Sequence, residues 1–164
     1  MSIKIGINGL GRIGRMVVRS LIENNNKEID IKHINSRSNM EVVSSLLKHD
    51  SVHGKFNCKI TYDDNHLILN EKKITFSQHT NLDQIKWGDH NVDFVLECTG
   101  KFNSKEKLIS HLNNGAKKVI VSGPCKNADK TIVFGVNEKT INKDDRIISA
   151  ASCTTNCLAP VADT

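Results

Sequence analysis

Apolar stretches with the period of a strand alternate with stretches that have the period of a helix along most of the chain. Residues 3–8 alternate apolar with polar or small side chains, which predicts a strand, and residues 13–21 place apolar side chains on one face of a helix. A second strand is predicted at 29–34 and a second helix at 39–48. This alternation indicates an α/β protein whose mostly parallel sheet is covered by helices on both faces.

The segment 55–76 departs from this alternation. Three short apolar stretches, at 56–60, 66–69 and 73–76, are separated by Asp- and Asn-containing segments that favour turns. We therefore predict three short strands that form an antiparallel hairpin insertion with a structural role.

Regular alternation returns after the insertion, and Ser104 is a candidate N-cap for the next helix. The fold predicted from the whole pattern is a doubly wound, mostly parallel sheet with a short antiparallel insertion. The remaining predicted elements are a strand at 92–97, a helix at 105–112, strands at 117–121, 131–135 and 146–149, and a helix that begins near residue 153.

A G-x-G-x-x-G motif follows the first strand and opens the first helix, which is the context of a Rossmann-type dinucleotide site. Gly9 permits the tight turn, Gly11 lets the backbone approach a pyrophosphate, and Gly14 permits close packing of helix on strand. Arg12 and Ile13 are further candidate cofactor contacts. The alternative is a glycine-rich turn that binds no ligand.

Ligands of open α/β sheets lie beyond the carboxyl ends of the strands, so the residues that follow the other predicted strands are candidate cofactor contacts. The alternative is that some of them are ordinary loop residues. These candidates are Asn35, Ser36, Arg37, Thr99, Gly100 and Ser122.

Cys153 follows the last predicted strand at the same edge and is surrounded by hydroxyl and amide side chains. A thiol at the start of a helix meets partial positive charge, which favours the thiolate and hence a nucleophile. The alternative is a buried structural cysteine beside a helix cap.

Composition narrows the function classes. The 164 residues make about one domain, and a net charge of +5 from scattered residues does not form a nucleic-acid-binding stripe. No stretch is apolar enough for a membrane span, and the chain enters a strand directly rather than a signal peptide. Five cysteines without a disulfide framework favour a reducing cytoplasm, and no metal site is expected.

Together these motifs resemble phosphorylating glyceraldehyde-3-phosphate dehydrogenases, in order and over the whole chain. The motif Ser-Cys-Thr-Thr-Asn-Cys-Leu-Ala-Pro is highly specific, although erythrose-4-phosphate dehydrogenases share much of it and remain an alternative. The segments that carry the resemblance are 6–15, 50–56, 85–88, 97–100 and 149–160.

The resemblance implies NAD(P)-dependent oxidative phosphorylation of glyceraldehyde 3-phosphate to 1,3-bisphosphoglycerate, a step of glycolysis and gluconeogenesis. It implies that Cys153 forms a thioester that inorganic phosphate then attacks. Ser152 and Thr154 would help to hold the substrate or the attacking phosphate, and the family implies a homotetramer.

Two departures from the family pattern concern the cofactor. Where the family has an acidic residue that binds the ribose, this chain has Ser36, followed by Arg37. A serine does not repel a 2′-phosphate and an arginine can pair with one, so NADP or dual use is favoured over NAD alone. Thr80 stands near the family's adenine contact, but the arginine expected beside it is missing.

By the same resemblance, residues 1–152 form the dinucleotide-binding domain, and residues 153–164 begin the helix that leads into a catalytic domain. The family's general-base histidine belongs to that domain, so the 164 residues alone are expected to be inactive. We consider two hypotheses, the N-terminal domain of an active dehydrogenase and a non-catalytic dinucleotide-binding or interaction module.

Overall fold

In a computed structural model, which describes residues 2–163, the chain forms a nine-stranded sheet with helices packed against it and a separate two-stranded hairpin. The strands are β1 (Ile3–Asn8), β2 (Ile29–Asn35), β3 (His49–Asp50), β4 (Gly54–Lys55), β5 (Ile60–Tyr62), β6 (His66–Leu69), β7 (Lys72–Ser77), β8 (Phe94–Glu97), β9 (Lys118–Val121), β10 (Lys130–Thr131) and β11 (Ile147–Ser149). The helices are α1 (Arg12–Glu23), α2 (Met40–Lys48), α3 (Lys105–Asn113) and α4 (Cys153–Ala162), with 3₁₀ turns at Leu82–Gln84, Trp87–His90 and Glu138–Thr140.

The strand order of the large sheet is β10-β11-β9-β8-β1-β2-β7-β6-β5. Every pair from β10 to β7 is parallel, and β6 and β5 continue the sheet as an antiparallel edge. The prediction of a doubly wound, mostly parallel fold with an antiparallel insertion is confirmed. The carboxyl ends of β1, β2 and β8 are adjacent at one edge of this sheet, where the topology reverses.

The central strands of the sheet are buried mainly over their C-terminal halves. β1 and β2 are buried on both faces, as parallel strands between two helix layers must be. Gly6 is required in β1 because a β-carbon there would lie 2.5 Å from the ring of Trp87, which fills the layer behind it. Core side chains in this region include Ile5, Ile7, Val18, Ile31, Ile34, Val95 and Leu108.

The prediction for the insertion is wrong in two respects. Phe56 and Cys58 are buried, as the alternation indicated, but the ladder begins only at Ile60. The backbone N–H of Phe56 donates to the carbonyl of Lys48 (2.9 Å), next to the β3–β4 hairpin, and not to a strand of the large sheet. In addition, β7 pairs in parallel with β2 and therefore belongs to the main sheet as well as to the hairpin.

The strand predicted at 131–135 is also shorter than expected, because only Lys130–Thr131 pairs with β11. The backbone N–H of Val133 donates to the side chain of Asn137 (2.8 Å), and Gly135 has φ +87°, so the chain turns there. The apolar run looked like a strand because Ile132 and Val133 are buried, but they lie in the irregular segment between β10 and the turn at residues 134–137.

Helix starts agree with the sequence prediction except in one detail. Asn39 caps α2 by accepting from the N–H of Val42 (2.9 Å), whereas Ser104 occupies the N-cap position of α3 without a side-chain cap bond. In residues 2–163, no helix has both the length and the apolar character needed to cross a bilayer.

Candidate functional site

A cavity of about 420 Å³ opens at the carboxyl ends of β1, β2 and β8. Its size falls in the range of small-molecule sites, and its position is where ligands of open α/β sheets bind. Seven of the twelve predicted cofactor contacts line this cavity, whereas the two predicted substrate-binding residues, Ser152 and Thr154, do not. The seven are Gly9, Gly11, Asn35, Ser36, Arg37, Thr80 and Thr99.

The glycine loop has the geometry that its motif predicts. Gly9 has φ +94°, and a β-carbon there would lie 2.8 Å from the methyl group of Thr99. A β-carbon on Gly14 would lie 2.0 Å from the carbonyl oxygen of Gly9, so α1 can approach the loop this closely only with glycine at position 14. Around Gly11 an added β-carbon would meet nothing within 4 Å, which leaves its backbone open to a ligand.

Five further predicted cofactor contacts do not line this cavity. Arg12 and Ile13 are exposed at the first turn of α1, Gly14 is buried beneath the loop, and Gly100 is exposed with φ +70°. Ser122 follows β9, and its N–H donates to the carbonyl of a residue in β8 (3.0 Å). Their roles as cofactor contacts remain predictions.

The charge of the cavity favours anions. Three basic side chains line it, those of Arg15, Arg37 and Lys101, and in the described part of the chain no Asp or Glu does. Arg15 donates through Nη1 to the carbonyl of Leu10 (3.0 Å), while its Nε is buried without a partner. The sequence analysis did not select Arg15 or Lys101, because only the fold brings them to this edge.

Ser36 and Arg37 occupy the end of the cavity beyond β2. Ser36 is buried, and its backbone N–H donates to the carbonyl of Ser77 (3.0 Å). Arg37 is exposed, and no carboxylate among residues 2–163 forms an ion pair with it. The guanidinium is therefore available to an anionic ligand.

Asn35 is held within the protein. Its side-chain nitrogen donates to Asn8 Oδ1 (2.8 Å) and to the carbonyl of His79 (3.0 Å). Its oxygen accepts from Ser77 Oγ (2.9 Å) and from the N–H of His79 (2.8 Å). The amide thus joins the ends of β1, β2 and β7, which shapes the cavity wall.

Cys153 begins α4 and is exposed, as predicted for a thiol at a strand-to-helix switch. Ser152 caps the helix by accepting from the N–H of Thr155 (3.0 Å). Among the described residues, no acceptor binds the backbone N–H of Cys153 or Thr154. These two amides can therefore donate hydrogen bonds to an anionic ligand at the start of α4.

The nucleophile region lies apart from the 420 Å³ cavity in the described residues. Ser152 and Thr155 line a second cavity of about 470 Å³, together with residues that follow β9. Thr154 is exposed, and its hydroxyl lies 2.9 Å from that of Ser152.

Three of the other four cysteines, Cys58, Cys98 and Cys125, have environments that disfavour reaction. Burial raises the pKa of the Cys98 thiol to about 11, and burial also raises the pKa values of Cys58 and Cys125. Only Cys153 and Cys157 are exposed. Burial therefore separates the candidate nucleophile from the three structural thiols.

Comparison with known proteins agrees with this geometry. Residues 3–105 match the family described as glyceraldehyde 3-phosphate dehydrogenase, NAD binding domain. The chain is 46% identical to the glyceraldehyde-3-phosphate dehydrogenase of Cereibacter sphaeroides, over 99% of this chain and 48% of that protein. It is 44% identical to that of Geobacillus stearothermophilus, over 99% and 48% of the two chains. The chain thus spans about half the length of the curated relatives it matches.

Proposed function

The chain belongs to the glyceraldehyde-3-phosphate dehydrogenase family and contains its NAD-binding domain, and we propose that it binds the cofactor of a phosphorylating, NAD(P)-dependent dehydrogenase of glyceraldehyde 3-phosphate. The observation that supports this most is the cavity at the carboxyl edge, which combines the glycine loop with basic side chains. A dinucleotide carries phosphates that such a wall neutralises. We also propose a homotetramer in the cytoplasm for the protein that contains this chain.

The proposed chemistry starts at Cys153. Its thiolate attacks the aldehyde carbon, and the free amides at the start of α4 stabilise the oxyanion that forms. When bound, NAD(P) supplies the hydride acceptor. The resulting acyl group on sulfur is released by inorganic phosphate, which Ser152 and Thr154 help to hold. The thiol suits this role because it is a strong nucleophile and a good leaving group.

Activity requires a general base for the thiol, and within residues 2–163 no histidine is hydrogen-bonded to Cys153. We therefore expect residues 1–164 alone to bind cofactor without turnover. The test is an assay of a protein that contains this chain with glyceraldehyde 3-phosphate, phosphate and either cofactor. Phosphate-dependent cofactor reduction that is abolished in Cys153→Ser supports the proposal, and unchanged activity in Cys153→Ser contradicts it.

We further propose that the site accepts NADP at least as well as NAD. A carboxylate at position 36 would face the 2′-phosphate, and each pair of unit charges at ~4 Å in water-like surroundings costs about 1 kcal/mol. A phosphate that carries almost two charges is thus disfavoured by roughly 2 kcal/mol, or about 30-fold in affinity.

The experiment compares NADP and NAD affinities of the parent and of Ser36→Asp. We expect the ratio to shift toward NAD by at least about tenfold, by the charge argument above. Ser51→Asp is the matched control. The substitution adds the same charge, but Ser51 is exposed and lies outside the cavity. A parent protein that binds NAD much more tightly than NADP would contradict the proposal.

A further inference from the structure

A buried hydrogen-bonded chain runs from the protein interior to the wall of the cofactor cavity. Trp87 Nε1 lies 2.9 Å from His111 Nδ1, and His111 Nε2 lies 3.0 Å from Glu97 Oε2. The three side chains are between 0% and 1% exposed. Because an indole N–H can only donate, Nδ1 of His111 accepts, and the neutral ring carries its proton on Nε2. His111 therefore donates to Glu97.

The carboxylate of Glu97 accepts from four donors. Oε2 accepts from His111 and from Asn8 Nδ2 (2.6 Å), and Oε1 accepts from the N–H of Thr99 (2.8 Å) and from its hydroxyl. The Thr99 hydroxyl in turn accepts from the N–H of Lys101 (3.1 Å), so it has its proton free for Glu97. Each oxygen of the carboxylate therefore has two hydrogen-bond donors, which fixes the orientation of the Glu97 side chain.

Two of these donors belong to the cavity wall. Asn8 and Thr99 both line the cavity, whereas Trp87, His111 and Glu97 do not. Thr99 lies against Gly9 of the glycine loop. Asn8 Oδ1 also accepts a hydrogen bond from Asn35 Nδ2, at the end of β2 (2.8 Å). One buried carboxylate thus fixes the adjacent ends of β1, β2 and β8.

We propose that Glu97, oriented by His111 and Trp87, is a positioning residue for the cofactor cavity. Loss of any member leaves a buried donor or acceptor unpaired and frees Thr99 and Asn8 to move. The inference rests on the proposed cofactor site. It adds that residues outside the cavity control the affinity of the cavity for the cofactor. Trp87 is the single tryptophan of the chain, so its fluorescence reports on the state of this hydrogen-bonded chain when the cofactor binds.

The test compares variants that keep or remove the hydrogen bond to Glu97. His111→Leu removes the donor at similar volume, whereas His111→Gln can still place an amide N–H near the position of Nε2. We measure dissociation constants for NAD and for NADP by calorimetry and record the Trp87 emission during each titration. His111→Leu and Glu97→Gln should weaken binding by about tenfold, as expected for one charged hydrogen bond. His111→Gln should recover most of the affinity, and the emission change should be lost in His111→Leu.

Destabilisation alone is controlled by Val119→Ala, which opens a core position in β9 that is fully buried and outside the cavity. It should lower the melting temperature without changing the cofactor affinity. Trp87→Phe removes only the indole N–H that donates to His111. Its cofactor affinity replaces that of His111→Leu or Glu97→Gln in the test if either of those variants does not fold. Binding within twofold of the parent in the folded variants would overturn this inference alone. No binding of either cofactor by the parent would overturn the proposed function and the inference with it.

Discussion

Substitution by alanine should affect stability at Gly14 and cofactor affinity at Gly11. A β-carbon on Gly14 would lie 2.0 Å from the carbonyl oxygen and 3.1 Å from the carbonyl carbon of Gly9. Both atoms belong to the backbone of a tight turn, so no side-chain rotation relieves the clash. A β-carbon on Gly11 would meet no atom within 4 Å, and its φ of −69° suits any residue.

The expected loss for Gly14→Ala follows from two opposing contributions. Forcing a methyl group into a packed site costs about 3 kcal/mol or more when backbone must move. Alanine recovers about 1 kcal/mol because it is the better helix former. The net loss is about 2 kcal/mol in the free energy of unfolding, which lowers the melting temperature of a domain of this size by roughly 4–8 °C.

The assay is thermal and urea unfolding of the parent, Gly14→Ala and Gly11→Ala, followed by cofactor titration of each. Gly11→Ala should unfold within about 1 kcal/mol of the parent, since only its N-cap preference changes. It should nevertheless lose about tenfold or more in cofactor affinity, because the methyl group occupies the space reserved for the pyrophosphate. A Gly14→Ala protein as stable as the parent would refute the packing argument, and an unaltered affinity in Gly11→Ala would refute the backbone-approach argument.

Two further predictions concern titratable side chains. In site-resolved alkylation near neutral pH, Cys153 should react before Cys98, whose thiol has its pKa raised to about 11 by burial, and a first reaction at Cys98 would contradict the assignment. Burial and the neighbouring imidazoles lower the pKa of His33 from 6.5 to about 3. Between these pH values the unfolded state binds more protons, so the free energy of unfolding should fall by about 1.4 kcal/mol for each pH unit of acidification below 6.5. Urea unfolding from pH 4 to 8 checks this, and an identical slope in His33→Gln would show that His33 is not the cause.

The local features of the site were predictable from the sequence because they depend on neighbouring residues. The β1–loop–α1 unit is specified by alternation, by the left-handed turn at Gly9 and by the contact of Gly14 with that turn. The start of α4 at Cys153 was predictable in the same way, since Ser152 supplies the cap.

What the sequence did not reveal depends on pairing between distant segments. The parallel pairing of β7 with β2 is such a case, since no local pattern encodes it. Arg15 and Lys101 are separated by most of the domain but line one cavity. The Glu97–His111 contact likewise joins the end of a strand to a helix face, and each residue alone resembled an ordinary polar position.

The central claim is that a dinucleotide binds at the carboxyl edge of the sheet. The most direct measurement is NMR chemical-shift mapping of the ¹⁵N-labelled chain during titration with NAD and, separately, with NADP. The account predicts saturable shifts centred on the amides of Gly9, Gly11, Ser36, Arg37 and Thr99. Saturable shifts centred instead on the hairpin formed by β3 and β4, or no shifts at millimolar cofactor, would contradict it.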